Sequence, residues 1–162
     1  MDEQALHDLL GAWRVHNRIT LLLIAAVPLK GFTAVPAGSK GRTVAEQLDH
    51  MNRIRLGWLA YHRTGRRVTA KEVRLTALTR ASLKRAFTAS GKEVERFFGE
   101  HASGSSRLRA FRNNPVRFAG YLIAHESHHR GSIMLALKQN GLRLPEPVAL
   151  KGLWQSWMWD GQ

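Results

Sequence analysis

The sequence contains no cysteine. This absence excludes disulfide bonds, thiolate metal ligands and a cysteine nucleophile, and it is typical of a reducing compartment such as the cytoplasm. Long hydrophobic runs are also missing, because the longest, Leu21 to Val27, is far shorter than the ~20 residues that cross a bilayer. No opening segment has the layout of a signal peptide. We therefore expect a cytoplasmic protein that does not insert into membranes.

Acidic residues are scarce relative to basic ones. The chain has 25 Lys or Arg against 12 Asp or Glu, which gives a net charge of +13. Between Arg53 and Arg85 there are ten basic residues and a single acid, Glu72. Such a segment attracts polyanions, so a nucleic-acid-binding or damage-response protein is one alternative, and a solvated surface is the plainer interpretation. No zinc-finger spacing or aromatic RNA-binding motif accompanies the charge.

Apolar residues recur at helical spacing, and alternating strand patterns are missing. A hydrophobic fraction of 44% over 162 residues suits one globular domain covering residues 1–162. Thr43 and Glu46 form a capping box, and Asn114 with Pro115 forms an N-cap and N1 pair. The predicted helices run over about residues 3–26, 43–62, 79–99 and 115–140. We predict an all-α four-helix bundle with a long crossover connection in residues 63–78.

The C-terminal tail is rich in tryptophan, with Trp154, Trp157 and Trp159 close together. Aromatic density of this kind is typical of an interface or a core. The tail therefore either covers a pocket or a dimer surface, or it attaches to its own bundle.

The fourth predicted helix carries His125 and His129, one turn apart on the same face. Neutral imidazole is the commonest protein ligand for zinc, nickel or copper. His128 points elsewhere on the helix, and Glu126 stands four residues before Arg130, the favourable order for a helical ion pair. Spacing alone leaves two interpretations open, because an inward pair of histidines is also common in ordinary cores.

A third ligand has to come from a facing helix, and His50 is the best candidate. It lies at the edge of the apolar face of the second predicted helix, from which it can turn into the bundle. Three imidazoles would leave coordination positions open for water or substrate. The remaining histidines are interpreted as surface or interface residues; they are His7, His16, His62 and His101.

The string from His125 to His129 also matches the H-E-x-x-H pattern of zinc hydrolases, in which the glutamate, here Glu126, is the general base. Those enzymes need a third ligand downstream and an edge strand that aligns the peptide. The sequence offers neither in a clear form. A zinc hydrolase is therefore a less favoured alternative.

Two segments resemble the DinB/YfiT-like family of metalloenzymes. Residues 43–51, reading TVAEQLDHM and running on to Trp58-Leu59, look like that family's second-helix signature. Residues 121–133, reading YLIAHESHHRGSI, are similar to its fourth-helix signature. The following residues 135–141 and the late Gly152-Leu153-Trp154 match one branch of the family. The layout of residues 1–157 agrees with this resemblance.

The resemblance implies a homodimeric four-helix bundle that holds one divalent ion, zinc or nickel, through His50, His125 and His129. Characterised relatives include transferases and isomerases that use a small thiol such as bacillithiol, mycothiol or glutathione. Relatives commonly carry glutamine where this chain has Ser132, which changes the expected substrate cavity. Because such thiols are anionic, we also name candidate substrate-binding residues. These are Arg109, Arg112, Arg117, Ser132 and Tyr121.

Overall fold

The structure, a computed structural model, describes residues 1–159, apart from the side chain of Ala70. Within this part of the chain it is all-helical and has no strand, which confirms the predicted fold class. The four long helices are Glu3–Ala26, Val44–Thr64, Arg80–Ala102 and Pro115–Gln139, called here the first to fourth helices. Shorter helical segments lie at Leu29–Thr33, Ala70–Val73, Phe111–Asn113, Pro147–Gly152 and Gln155–Trp157. Among the described helices, none combines the length and the apolar character that crossing a bilayer requires.

Local sequence signals determine where the two helices that carry the site begin. At the second helix, Glu46 N donates to Thr43 Oγ1 at 3.2 Å, and Thr43 N donates to Glu46 Oε2 at 2.9 Å. At the fourth helix, the Asn114 side chain accepts from Arg117 N at 3.0 Å. Each cap satisfies backbone N–H groups that have no partner inside the helix. Both predicted starts are confirmed.

The four helices are not arranged in chain order around the bundle. The first and second helices each pack against both the third and the fourth helix. The first and second helices therefore lie at opposite corners of the bundle. The connection of residues 65–79, where we predicted a crossover, therefore joins neighbouring helices. It is tied to the second helix because Leu75 N donates to Asp49 Oδ1 at 3.1 Å. The chain crosses the bundle instead in the segments 27–43 and 103–114.

The first and third helices approach each other closely at Gly91. The indole nitrogen of Trp13 donates to the Gly91 carbonyl oxygen at 2.9 Å. A Cβ atom added at Gly91 would lie 2.4 Å from Asn17 Nδ2, so a larger residue would displace that side chain. Around this contact lies one part of the core, with Phe97 and Phe118 fully buried. The first helix also packs against the fourth, where the His16 ring lies 2.9 Å from the Glu126 carboxylate.

The tryptophan-rich tail attaches to the first helix. Leu153 is buried, and the Trp157 ring lies 6.1 Å from the ring of His16. Trp154 and Trp159 remain 63% and 60% exposed. The interpretation that the tail packs on its own bundle therefore holds for Trp157, whereas Trp154 and Trp159 leave an apolar surface uncovered.

Candidate metal site

Three histidines from two helices meet in the bundle. His50 comes from the second helix, and His125 and His129 come from the fourth. The ring centroids of His50 lie 5.2 Å from His125 and 5.0 Å from His129, and those of His125 and His129 are 4.8 Å apart. One nitrogen from each ring lies within 4.8 Å of the others. The structure thus brings together the three histidines that the sequence singled out, and they could hold a metal ion.

The three rings are neutral near physiological pH. Burial lowers the pKa of His50 to about 4, and nearby positive charge on Arg42 acts in the same direction. Burial likewise lowers the pKa of His129 to about 4 and also lowers the pKa of His125. Neutral imidazole is the form that binds a metal, because the ligand nitrogen must be unprotonated. The cluster is therefore competent to bind an ion without first losing protons.

Hydrogen bonding determines which nitrogens are available. His129 Nδ1 lies 3.3 Å from Gln47 Oε1, and an amide oxygen only accepts, so Nδ1 carries the proton. This leaves the Nε2 lone pair of His129 free for an ion, as metal-ligating histidines require. His125 Nδ1 is buried and has no hydrogen-bond partner among the described residues. Three imidazoles with free nitrogens fit zinc or nickel and leave coordination positions open.

Glu126 follows His125 directly, but its side chain is fully buried in the bundle, whereas the three histidines are half-buried. Its carboxylate accepts from Arg55 Nε at 2.5 Å and Nη2 at 2.7 Å, and from His16 Nε2 at 2.9 Å. The predicted pair between Glu126 and Arg130 is wrong, because Arg130 instead donates to Ser127 Oγ at 2.8 Å. The stronger partner comes from another helix, which helical spacing could not reveal.

The surroundings of Glu126 also remove support for the hydrolase alternative. Burial alone would raise the pKa of Glu126, but the Arg55 guanidinium and the His16 ring hold that pKa well below its usual range. A general base must reach the proton that it abstracts. This carboxylate is fully buried, and its hydrogen bonds go to Arg55, His16 and Thr20 instead of to the histidine cluster. The H-E-x-x-H pattern of this chain therefore lacks its base.

Two of the other histidines do not lie at the surface, so our prediction for them is wrong. His16 is fully buried and pairs with Glu126, and His62 is buried between aromatic rings, stacked on Trp58 at 5.6 Å. His16 follows Trp13 and precedes Thr20 at helical spacing, a signal that could have placed it inside. His7 and His128 are exposed, and His101 is half-buried.

A cavity of about 600 Å³ opens beside the cluster. His50 lines it together with Trp58, Tyr61 and Tyr121. The Tyr121 ring stacks on His125 at 6.0 Å, so this predicted substrate-binding residue lies at the junction of cluster and cavity. We call this space the inner cavity. Any molecule that it holds is adjacent to His50.

The arginines beside the inner cavity are not those named from the sequence. Arg42, Arg53 and Arg67 line it. Arg109 is exposed and donates from Nε to the His62 carbonyl oxygen at 3.0 Å, and Arg112 and Arg117 are exposed as well. Ser132 is half-buried on the turn after His129. A substrate-binding role for Arg109, Arg112, Arg117 and Ser132 stays a prediction.

Much of the charge in the basic segment of residues 53–85 is used inside the protein. Five of its ten cations have partners here: Arg53 with Asp49, Arg55 with Glu126, Arg63 with Glu93, Arg66 with Glu72, and Arg80 with the Val27 carbonyl oxygen. Cations engaged in this way contribute less to binding a polyanion. Nucleic-acid binding stays a prediction.

Fold and cluster define a helical-bundle protein with three histidines arranged as a possible metal site. The family model of the DinB family matches residues 1–159, and the chain belongs to this family. The resemblance seen in the second and fourth helices is thereby confirmed. A comparison with curated proteins gives no match.

Proposed function

We propose that the protein binds one divalent ion, zinc or nickel, through His50, His125 and His129, and catalyses a transfer or isomerisation that uses a low-molecular-weight thiol. The observation that carries the proposal is the meeting of three neutral imidazoles beside an open cavity. An incomplete ligand set of this kind is typical of catalytic rather than structural sites. The ion would supply Lewis acidity, which favours a thiolate over a thiol at neutral pH.

Side chains of the protein hold the metal ligands and the substrate cavity in place. It has no cysteine, so the reacting sulfur has to belong to a cosubstrate. Gln47 fixes the proton of His129 on Nδ1, and Tyr121 stacks on His125 and holds its ring plane. Trp58 and Tyr61 form an apolar wall that limits access of water to the reacting groups.

Metal binding is tested by elemental analysis of the purified protein and its single variants His50→Ala, His125→Ala and His129→Ala. We expect about one equivalent of zinc or nickel in the parent protein and its loss in each variant. His128→Ala is the matched control, since this exposed neighbour is outside the cluster. Equal metal content in all five proteins, or none in the parent, would contradict the proposal.

Thiol chemistry has its own test. The metal-loaded protein is mixed with glutathione, bacillithiol or mycothiol and with 1-chloro-2,4-dinitrobenzene. In the expected reaction a carbon–sulfur bond forms, chloride leaves and the thiol proton passes to solvent. Metal binding without turnover of any thiol would instead indicate a metal sensor or store.

A homodimer remains part of the proposal. The exposed side chains Trp154, Met158 and Trp159 form an apolar surface that a second copy would cover. Sedimentation of the parent protein and of Trp154→Ser/Trp159→Ser tests this. A monomer in both cases would contradict it.

A further inference from the structure

We infer that the inner cavity binds an organic anion with an aromatic or branched apolar body, whose oxyanion is held by Arg42 and Arg53 next to His50. The inference deepens the proposed function, on which it rests, because it names the substrate class of the same site. It stands on three features of the cavity: its apolar wall, its arginines, and the second cavity that those arginines share.

The apolar wall of the inner cavity is preformed. The Trp58 ring meets Tyr61 at 5.9 Å and Tyr121 at 5.8 Å, both edge to face. Behind it, Phe111 contacts Trp58 at 4.8 Å. Phe111 opens a run of three residues with φ near 55°, the left-handed region that costs energy for side-chain-bearing residues. That strained turn sets the ring against Trp58, so an apolar ligand meets a wall that needs little ordering.

The charged side chains that line the inner cavity are all basic, among the residues that the structure describes. Its lining, over the described residues, includes Arg42, Arg53 and Arg67 and no carboxylate. Arg53 is fixed by its Nε, which donates to Asp49 Oδ2 at 2.9 Å. This partner reduces the net charge at Arg53, but it occupies only the Nε–H and leaves the other guanidinium N–H groups as donors. A guanidinium held by one nitrogen presents the rest of its planar group to a carboxylate or phosphate in a defined orientation. The cavity therefore combines an apolar surface with oxyanion binders, which matches an amphipathic anion.

A second cavity of about 530 Å³, called the outer cavity, adjoins the first. Arg42 and Arg53 line both cavities, and Lys71 and Arg74 extend the positive charge outwards. The two acidic residues that line the outer cavity already accept hydrogen bonds. Glu46 accepts in the helix cap, and Asp49 accepts from Arg53 and from Leu75 N. Positive charge along an entrance raises the local concentration of anions. The outer cavity thus extends the positively charged region around the arginine pair.

The experiment is calorimetry of the purified protein, with and without added zinc, using three matched probes: 2-naphthoate, 1-naphthyl phosphate and the neutral 2-naphthalenemethanol. The probes share the ring system and differ in the polar group. We expect the anions to bind at least tenfold more tightly than the alcohol. Binding of one anion alone supports the inference and identifies the oxyanion as carboxylate or phosphate. Equal affinity for all three probes, or no binding of either anion, overturns it.

Charge and shape of the cavity are tested separately by variants. Arg42→Gln is expected to weaken anion binding about fivefold or more and to leave binding of the alcohol unchanged, whereas the exposed Arg85→Gln changes neither. At Gly57 an added Cβ would lie 3.8 Å from Val68 Cγ2, an ordinary contact. Gly57→Ala should therefore retain the probes, and Gly57→Leu, whose larger side chain enters the cavity, should exclude them. Unchanged binding in Arg42→Gln and Gly57→Leu would overturn the assignment of the site.

Metal content is measured on the same samples, which separates the two proposals. Bound metal without anion binding refutes the inference and leaves the proposed function standing. Anion binding with no affinity for zinc or nickel supports the cavity assignment and refutes the proposed metal-dependent function.

Discussion

The fourth helix carries two polar groups with opposite surroundings. On one side, Glu126 is fully buried and accepts hydrogen bonds from Arg55 and His16. On the other, His125 and His129 are half-buried and face His50, with His125 Nδ1 lacking a partner in the described chain. The first group pairs a carboxylate with a guanidinium inside the protein, although His16 Nδ1 also has no partner among the described residues. The second group brings three imidazole rings together within ligand distance of one another and contains no carboxylate.

This difference separates a structural role from a binding role. Buried polar groups are normally paired, and a paired network fixes one packing arrangement. The Arg55–Glu126 pair joins the second helix to the fourth, which are the two helices that carry the histidines. We therefore assign the network to holding the helices and the cluster to binding an ion. The predictions below test that assignment, beginning with the largest effect.

Removing one member of the buried ion pair should have the largest effect. Arg55→Met removes the charged partner of Glu126 and leaves the buried carboxylate with hydrogen bonds from His16 and Thr20 alone, and breaking such an ion pair costs about 3–5 kcal/mol. We expect the free energy of unfolding in urea to fall by this amount. The double variant Arg55→Met/Glu126→Leu removes both charges and should recover much of the loss. A loss below about 1 kcal/mol in the single variant would show that the pair does not hold the helices.

Metal should stabilise the protein through the histidine cluster alone. At a free zinc or nickel concentration of 100 times Kd, the free energy of unfolding should rise by about 2.7 kcal/mol, and a chelator should reverse the change. His129→Ala should abolish this response, whereas His128→Ala should retain it. Thermal unfolding with and without metal provides the measurement. A response that survives in His129→Ala would place the bound metal elsewhere.

Replacing Gln47 should lower the affinity for metal and leave the stability of the fold unchanged. Gln47→Leu removes the acceptor that holds His129 Nδ1–H, and loss of such partners lowers metal affinity about 10–100-fold. Competition with a chromogenic chelator measures this affinity. Gln139→Leu is the matched control, because the Gln139 side chain accepts from Ala37 N, away from the cluster. Equal affinities in the two variants would contradict the role of Gln47.

The smallest effect is expected from acidification to about pH 5.5 acting on His62, where its lowered pKa costs on the order of 1 kcal/mol of stability. Burial lowers the pKa of His62 to about 4, with Arg109 and His101 acting in the same direction. Below about pH 6.5 the unfolded chain takes up a proton that the folded chain does not, so stability falls as pH decreases towards 4 and levels off below it. His62→Phe should show a shallower decline of Tm over this range. An identical pH profile in both proteins would show that the pKa of His62 is the same in the folded and the unfolded chain.

Short-range patterns in the sequence predicted the elements and the histidine cluster. Helical spacing placed His125 and His129 on one face, and the capping residues Thr43 and Asn114 marked two helix starts. The edge position of His50 allowed its ring to turn inward. These inferences succeeded because each depends on residues within a few turns of one another, or on one helix facing another.

Long-range contacts were missed because spacing along the chain does not show which distant residues meet in the folded protein. The Arg55–Glu126 pair joins residues that are 71 positions apart, and local spacing favoured Arg130 instead. The arginines of the inner cavity were also not identified, since Arg42 and Arg67 come from connections whose positions depend on the folded bundle. The order of the helices around the bundle likewise required the structure.

The ion pair between Arg55 and Glu126 has a consequence for how the protein would acquire its metal. Because this pair joins the two helices through side chains alone, we expect the three rings to be held near one another before metal binds, unlike small zinc domains that fold only when loaded. Zinc and nickel would then exchange at the finished site without unfolding. The bound metal would then depend on the concentrations of zinc and nickel around the folded protein. It would not depend on which metal was present when the chain was synthesised.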